Sequence, residues 1–249
     1  MTRILGIIPA RYASTRFPGK PLADIGGMSM IERVYRQVTR STLLSRVVVA
    51  TDNQEIYTHV ASFGGQAVMT HDRHPSGTDR CYEAFTLLNE PFDYVMNIQG
   101  DEPFIQPDQI DTLAGALDGK TEIATLVKRT TSEEELSNPG EVKVVLDRTG
   151  TALYFSRAPI PHIHNTPKGQ WVDKHVFYKH IGLYAYRTDV LRDITQLPVS
   201  TLEKAESLEQ LRWLEHGYRI KVAETDTESL CIETPDDVQR ALEYLSKHS

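Results

Sequence analysis

Three cations crowd the stretch IIPARYASTRFPGKPL, residues 7–22: Arg11, Arg16 and Lys20. No acidic residue stands between Met1 and Asp24, in a chain whose formal net charge is -7. Such a cluster suits a small polyanion. A triphosphate carries about four negative charges near neutral pH, and spaced cations with backbone N–H groups can hold it. Gly19 lets the backbone approach closely, while Pro18 and Pro21 stiffen the loop. Pro21 stands where a Walker P-loop would have Ser or Thr after its Lys, and the glycine spacing of a dinucleotide fingerprint is missing. On spacing alone, a surface loop with scattered cations is the competing reading.

Carboxylates come next. DYVMNIQGDEP reads as a buried strand running into Gly100-Asp101-Glu102-Pro103, which puts Asp101 at a strand's carboxyl end, where ligands of open α/β sheets collect. An isolated Gly-Asp is usually a turn cap. Beside a triphosphate loop, Asp101 instead suits Mg²⁺, which takes one or two carboxylates with phosphate oxygens. PSGTDR offers a Ser-Gly-Thr nest opening a helix, with Ser76 or Thr78 as the ordinary cap.

The elements that must position these groups are legible as patterns. Short runs rich in Val and Ile, among them ILGIIPA, RVVVAT, YVMNIQ, IATLV and VKVVLD, read as strands, several buried on both faces. Between the early ones lie helical spacings: Ile31, Val34, Tyr35 and Val38 form one stripe, and TDNQEIYTHVASFGG begins with capping residues and stops at a Gly pair. TLEKAESLEQLRWLEHG reads as one amphipathic helix closed by Gly217, and TPDDVQRALEYLSKH has Pro235 in its first turn. Strand–helix alternation over residues 4–118 predicts right-handed βαβ units and an α/β fold with a mostly parallel sheet. VKVVLDRTGTALYFSR predicts a hairpin around Arg148-Thr149-Gly150, and residues 158–178 an excursion from the main sheet. One domain over residues 1–249, with an inserted or dimer-forming segment at about 150–190, is the expected organisation.

The 249 residues, 40% hydrophobic, allow a sizeable core, and the charge of -7 argues against a nucleic-acid partner. Two cysteines are too few for a disulfide framework, and no apolar run approaches the roughly 20 residues that span a bilayer. A soluble cytoplasmic protein is expected.

PARYASTRFPGKPL resembles the opening of the sugar-nucleotide cytidylyltransferases, and among them the branch that activates 3-deoxy-D-manno-octulosonate (Kdo). The resemblance runs in order through SGTDR (76–80), NIQGDEP (97–103), VKVVLD (142–147), ALYFSRAPIP (152–161), KHIGLYAY (179–186), LEQLRWLEHG (208–217) and ETPDDV (233–238). It implies a Rossmann-like nucleotidyltransferase fold with a small dimerisation and sugar-binding subdomain, CTP and Kdo as substrates, Mg²⁺ as cofactor and a homodimer.

Carried over residue by residue, it makes Lys20, Arg16 and Asp101 catalytic. Arg11, Arg16, Lys20, Ser76, Gly77, Thr78, Arg80 and Gln99 would bind nucleotide, and Arg157, His180, Tyr184, Glu209 and Gln210 the sugar. Asp101 and Glu233 would bind metal, with Glu233 standing where the family has Asp. His180 and Tyr184, four apart on a strand, point to one face. Two alternatives stand at this point: a sister enzyme for another ulosonic acid, amino-Kdo or sialic acid, and an inactive nucleotide- or glycan-binding regulator.

Overall fold

ILGIIPA forms β1 (Ile4–Ala10), a central strand with a strand on each edge and helices packed against it, buried along almost its whole length. The computed structural model describes residues 2–14 and 16–248, and its contacts divide the chain into two units, Met1–Ala114 with Ser229–Ser249, and Gly115–Glu228. In the first unit β1 is followed by α1 (Met30–Val38), β2 (Arg46–Thr51), α2 (Gln54–Ser62), β3 (Ala67–Met69), α3 (Gly77–Leu88), β4 (Tyr94–Asn97) and α4 (Pro107–Gly115). The strands run in the order β3-β2-β1-β4, all parallel, as the strand–helix alternation predicts. Ser29, Asn53 and Ser76 cap α1, α2 and α3 through their side-chain oxygens.

Parallel pairing sends every strand's exit to one edge. Ile7 of β1 pairs with Asn97 of β4, so the loop carrying Arg11 and the turn carrying Asp101 leave the sheet side by side. They leave very close together. A Cβ on Gly100 would sit 2.7 Å from the Pro9 carbonyl oxygen, a distance no side chain tolerates.

The second unit is mixed. It holds β5 (Ile123–Arg129), α5 (Glu133–Ser137), β6 (Lys143–Leu146), β7 (Ala152–Ser156), β8 (Tyr178–Arg187), α6 (Thr188–Ile194), α7 (Thr201–Glu206), α8 (Gln210–Glu215) and β9 (Ile220–Glu224). β5 lies between antiparallel β8 and parallel β9. The predicted hairpin is β6–β7, closed by Gly150 at φ +76° and by the Asp147 carboxylate, which accepts from the backbone N–H groups of Thr149 and Thr151. Residues 157–177 contain no helix or strand; Trp171 and Phe177 pack there with Leu136 of α5.

One expectation needs correction. TLEKAESLEQLRWLEHG is not one helix: Ser207 takes the left-handed conformation, φ 53°, and separates α7 from α8. The break frees backbone carbonyls that a continuous helix would use internally. β8, moreover, is not regular. Ile181 pairs with Leu126 while Tyr184 pairs with Thr125, so Gly182 and Leu183 form a bulge. Two extra residues keep His180 and Tyr184 on one face but draw their rings together, to 5.1 Å between centroids. A regular strand would separate them by about 13 Å.

α9 (Pro235–His248) returns to the first unit. Ile232 and Ala241 pack there with Ile25, Met30 and Phe104, and the half-buried Phe17 lies against the same cluster.

Gly100→Ala tests the close crossing of the two exits. It should destabilise the protein by about 1–3 kcal/mol through enforced backbone movement, read as a lower urea midpoint at unchanged m-value.

Candidate active site

The cation loop is shaped by its own backbone. Gly19 sits at φ +70° and donates its N–H to the Tyr12 carbonyl at 3.0 Å, turning the chain back into a 3-10 turn, Lys20–Leu22, with Pro21 buried. The loop borders a cavity of about 290 Å³ in the first unit. Arg11, Arg16 and Lys20 line it together with Ser76, Gly77, Arg80, Gln99 and Asp101. Eight sequence-selected residues therefore meet at one place. Thr78 is not among the lining residues; it is buried in the first turn of α3.

Arg80 is only 3% exposed, and its guanidinium is already committed: it donates to Thr70 Oγ1 at 2.6 Å and to Asp52 Oδ2 at 2.8 Å. Ser76 caps α3, accepting from the Asp79 N–H at 3.2 Å, so the ordinary capping role holds whatever else it does.

Three remote segments join at Lys20. Its ammonium donates to Asp101 Oδ2 at 2.6 Å and to the Ile232 carbonyl at 3.1 Å, while the Ile232 N–H donates to the Asp101 carbonyl at 2.9 Å. Glu233 follows at once, and its carboxylate takes a hydrogen-bonded ion pair from Arg16. The two contacts differ in strength. Lys20 and Asp101 are 16% and 25% exposed, whereas Arg16 and Glu233 are 63% and 51% exposed. Exposed ion pairs contribute about 0–1 kcal/mol, against about 1.5–3 kcal/mol for burying a side chain such as Ile232. The C-terminal arm is thus held by apolar packing and the Lys20 junction. Arg16 and Glu233 can part at little cost.

The other predicted cluster lies wholly in the second unit. Arg157 follows β7, and its guanidinium donates to three carbonyls: Glu206 at 2.8 Å, Pro139 at 3.1 Å and Ser207 at 3.4 Å. Two of these are carbonyls at the α7–α8 break. Among the described residues it pairs with no carboxylate; Glu206 gives its own to the Ser156 hydroxyl and the Arg157 backbone N–H. Gln210 is buried and Glu209 half-buried at the start of α8.

Residues 5–221 match the family described as Cytidylyltransferase. The chain belongs to that family. It is 56% identical, over 99% of both chains, to the 3-deoxy-manno-octulosonate cytidylyltransferase of Parabacteroides distasonis. It is 56% identical, over 95% of both, to that of Cytophaga hutchinsonii. A solved CMP:2-keto-3-deoxy-manno-octonic acid synthetase complexed with CTP superimposes with a TM-score of 0.92 at 39% identity, covering 100% of both chains.

In this cytidylyltransferase, His180 is a neutral group. Burial pushes its imidazole down to about 3. Thr125 Oγ1 has one proton and two carbonyls, Leu183 at 2.8 Å and Ile181 at 3.2 Å, to receive it. The threonine therefore accepts from His180 Nε2, 2.9 Å away, which puts the ring proton on Nε2 and leaves Nδ1 as an acceptor. Such a group orients a hydroxyl; it is too weak a base to remove its proton. Burial, and next the charge of Glu209, hold the Tyr184 phenol well above its ordinary range. Among the described residues the Tyr184 hydroxyl, which faces Thr125, and the Trp213 indole Nε1 are buried without a well-formed hydrogen bond, and their rings meet edge to face at 5.2 Å. Groups left open in this way are satisfied by water or a ligand's hydroxyls.

Several contributors escaped the sequence reading. Asp52, which holds Arg80, carried a usable signal: like Asp101, it follows a strand's carboxyl end. His74, which lines the cavity and pairs with Glu83, had only its place just ahead of PSGTDR. Thr125, Glu206 and Trp213 had none, since their partners lie far along the chain.

The buried His180 sets a pH dependence. The folded protein keeps it neutral down to about pH 3, while the unfolded chain takes up the proton at about 6.5. Between those values the unfolded state holds the extra proton, so stability falls as pH falls, by up to about 1.4 kcal/mol per pH unit. His180→Gln should flatten the loss between pH 7 and pH 5, measured as the difference in urea midpoints; an unaltered slope would refute the assignment.

Proposed function

We infer that this cytidylyltransferase activates Kdo, CTP + 3-deoxy-D-manno-octulosonate → CMP-Kdo + diphosphate, supplying lipopolysaccharide assembly. The near-full-length identity of 56% to a 3-deoxy-manno-octulosonate cytidylyltransferase carries the reading. Two features of the chain support it: cations gathered at one cavity for a triphosphate, and, in the second unit, a guanidinium with no carboxylate partner among the described residues, with neutral polar groups for an acidic, hydroxyl-rich sugar.

In this reading the sugar's anomeric hydroxyl attacks the α-phosphorus in line and diphosphate leaves, so catalysis rests on positioning and electrostatics. Arg11 anchors the triphosphate. Arg16 exchanges its exposed carboxylate partner for phosphate oxygens, and Lys20, held beside Asp101, neutralises charge with it as it develops. Arg157 takes the Kdo carboxylate with its planar fork. His180, Tyr184, Glu209 and Gln210 hold sugar hydroxyls, and the turn over residues 76–80 encloses the base with Gln99.

Asp101 and Glu233 offer hard anionic oxygens, and Lys20 bonds both Asp101 and the residue before Glu233; this donor set fits Mg²⁺ with phosphate oxygens and water completing the shell. Mg²⁺, when bound, would offset phosphate charge and lower the pKa of a coordinated hydroxyl. The reading also includes a cytoplasmic homodimer formed through residues around 155–185, which sedimentation at micromolar concentration tests. No helix among the described residues is long and apolar enough to cross a membrane.

Diphosphate release from CTP with Kdo, 8-amino-Kdo and sialic acid tests the substrate; Kdo should give the highest kcat/KM, and a higher value with another acid would replace it. Lys20→Ala should lower kcat/KM by roughly 10²–10³-fold. Asp101→Asn should abolish Mg²⁺-dependent turnover in a folded protein, and near wild-type rates would return Asp101 to a turn role.

Glu233 separates two roles by titration. As a metal ligand, Glu233→Gln should shift the Mg²⁺ dependence to higher concentration and cut turnover, while Glu233→Asp stays active. If it serves only the dipole of α9, the Gln variant's Mg²⁺ curve will overlay the wild type.

A further inference from the structure

Lys143 opens β6 with its side chain fully buried. The register sets it opposite Ser156 of β7 on one side and Lys179 of β8 on the other. Two buried lysines thus face each other across paired strands. Their surroundings differ sharply. Lys179 is compensated, with Glu135 at 2.5 Å, Glu141 at 3.8 Å and an ion pair to Glu228. Lys143 has no carboxylate within ion-pair distance among the described residues. Its ammonium donates to two backbone carbonyls instead, Asn138 at 2.8 Å and Glu141 at 2.5 Å.

That arrangement is costly. Carbonyl dipoles offset only part of the loss of water around a buried ammonium, and an apolar side chain of similar volume would avoid the loss altogether. Burial accordingly draws the Lys143 pKa down; Arg157 adds to the effect, and the carboxylates of Glu141 and Glu206 oppose it. Stability alone does not account for a lysine here.

What Lys143 grips points to its role. The two carbonyls belong to the turn Asn138–Glu141, and the residue between them, Pro139, supplies a carbonyl to the Arg157 guanidinium at 3.1 Å. The remaining anchors of Arg157 are the carbonyls of Glu206 and Ser207. The guanidinium is therefore clamped between two backbone segments, and Lys143 holds one of them. Both cations are pinned by carbonyls, neither has a carboxylate within ion-pair distance among the described residues, and Lys143 feels Arg157 against the more distant carboxylates of Glu141 and Glu206. An anion from outside the chain would complete the pair.

We propose that Lys143 is a positioning residue of the acidic-sugar subsite: it holds the Asn138–Glu141 turn that fixes Arg157 and adds a second positive charge that no ion pair takes up, so that the subsite takes a carboxylate rather than a neutral group. The proposal rests on the assignment of Arg157 to the Kdo carboxylate.

Steady-state kinetics on Lys143→Met, with Kdo and its C1 amide as competing substrates, test it. KM for Kdo should rise about tenfold or more, the scale for losing a desolvated charge, with KM for CTP within about twofold. The preference for Kdo over the amide should shrink by a similar factor. Parallel rises in both KM values, or an unaltered acid-to-amide ratio, would overturn the proposal, because a merely structural lysine would produce one of them. Lys143→Gln, which retains a donor but no charge, is measured alongside and decides by the same ratio if the Met variant does not fold. Arg157→Ala is the control: an unaltered Kdo KM there means that the Arg157 assignment has failed, whereas a raised one beside a normal Lys143→Met defeats this proposal alone.

Discussion

The half-buried junction at Lys20 is what the first unit's site depends on. One ammonium meets a carboxylate from the β4 exit and a carbonyl from the C-terminal arm, and those two segments share a backbone hydrogen bond of their own. Three stretches distant in sequence are fixed against one another by one cation. Burial of Phe104, Ile232 and Ala241, with Phe17 of the loop packed against them, supplies the energy that keeps the junction assembled. The polar contacts then set geometry more than they set stability.

The same economy governs the cations as binding groups. Arg16 is paired where solvent screens the pair, so a polyphosphate can take it over at small cost. Arg80 is paired with Asp52 out of solvent, so its guanidinium is a fixed wall of the cavity rather than a mobile counter-ion. Arg157 and Lys143 are anchored by carbonyl dipoles alone, which fix direction without neutralising charge. Three modes of restraint leave the chain's cations available to different degrees.

The second unit shows how broken regularity builds a binding surface. Ser207 ends α7 early, and the freed carbonyls of Glu206 and Ser207 become anchors for Arg157. The bulge at Gly182 and Leu183 folds β8 so that His180 and Tyr184 meet. Each irregularity costs local hydrogen bonding and gains a convergence that a regular element could not reach.

Much of this was legible in the residues themselves. The cation loop, the parallel strands, the hairpin at Gly150 and the start of α9 follow from local rules: apolar runs, capping residues, a glycine where φ is positive. Such features depend on neighbours a few positions away, which a single sequence displays. The partners of Lys20, Arg80, Arg157 and Lys143 lie ten to more than two hundred positions off or are backbone carbonyls that every residue carries, so no residue type announces them. The break at Ser207 and the bulge in β8 belong to the same class: local propensity favours a continuous helix and a regular strand, and only packing against remote segments decides otherwise.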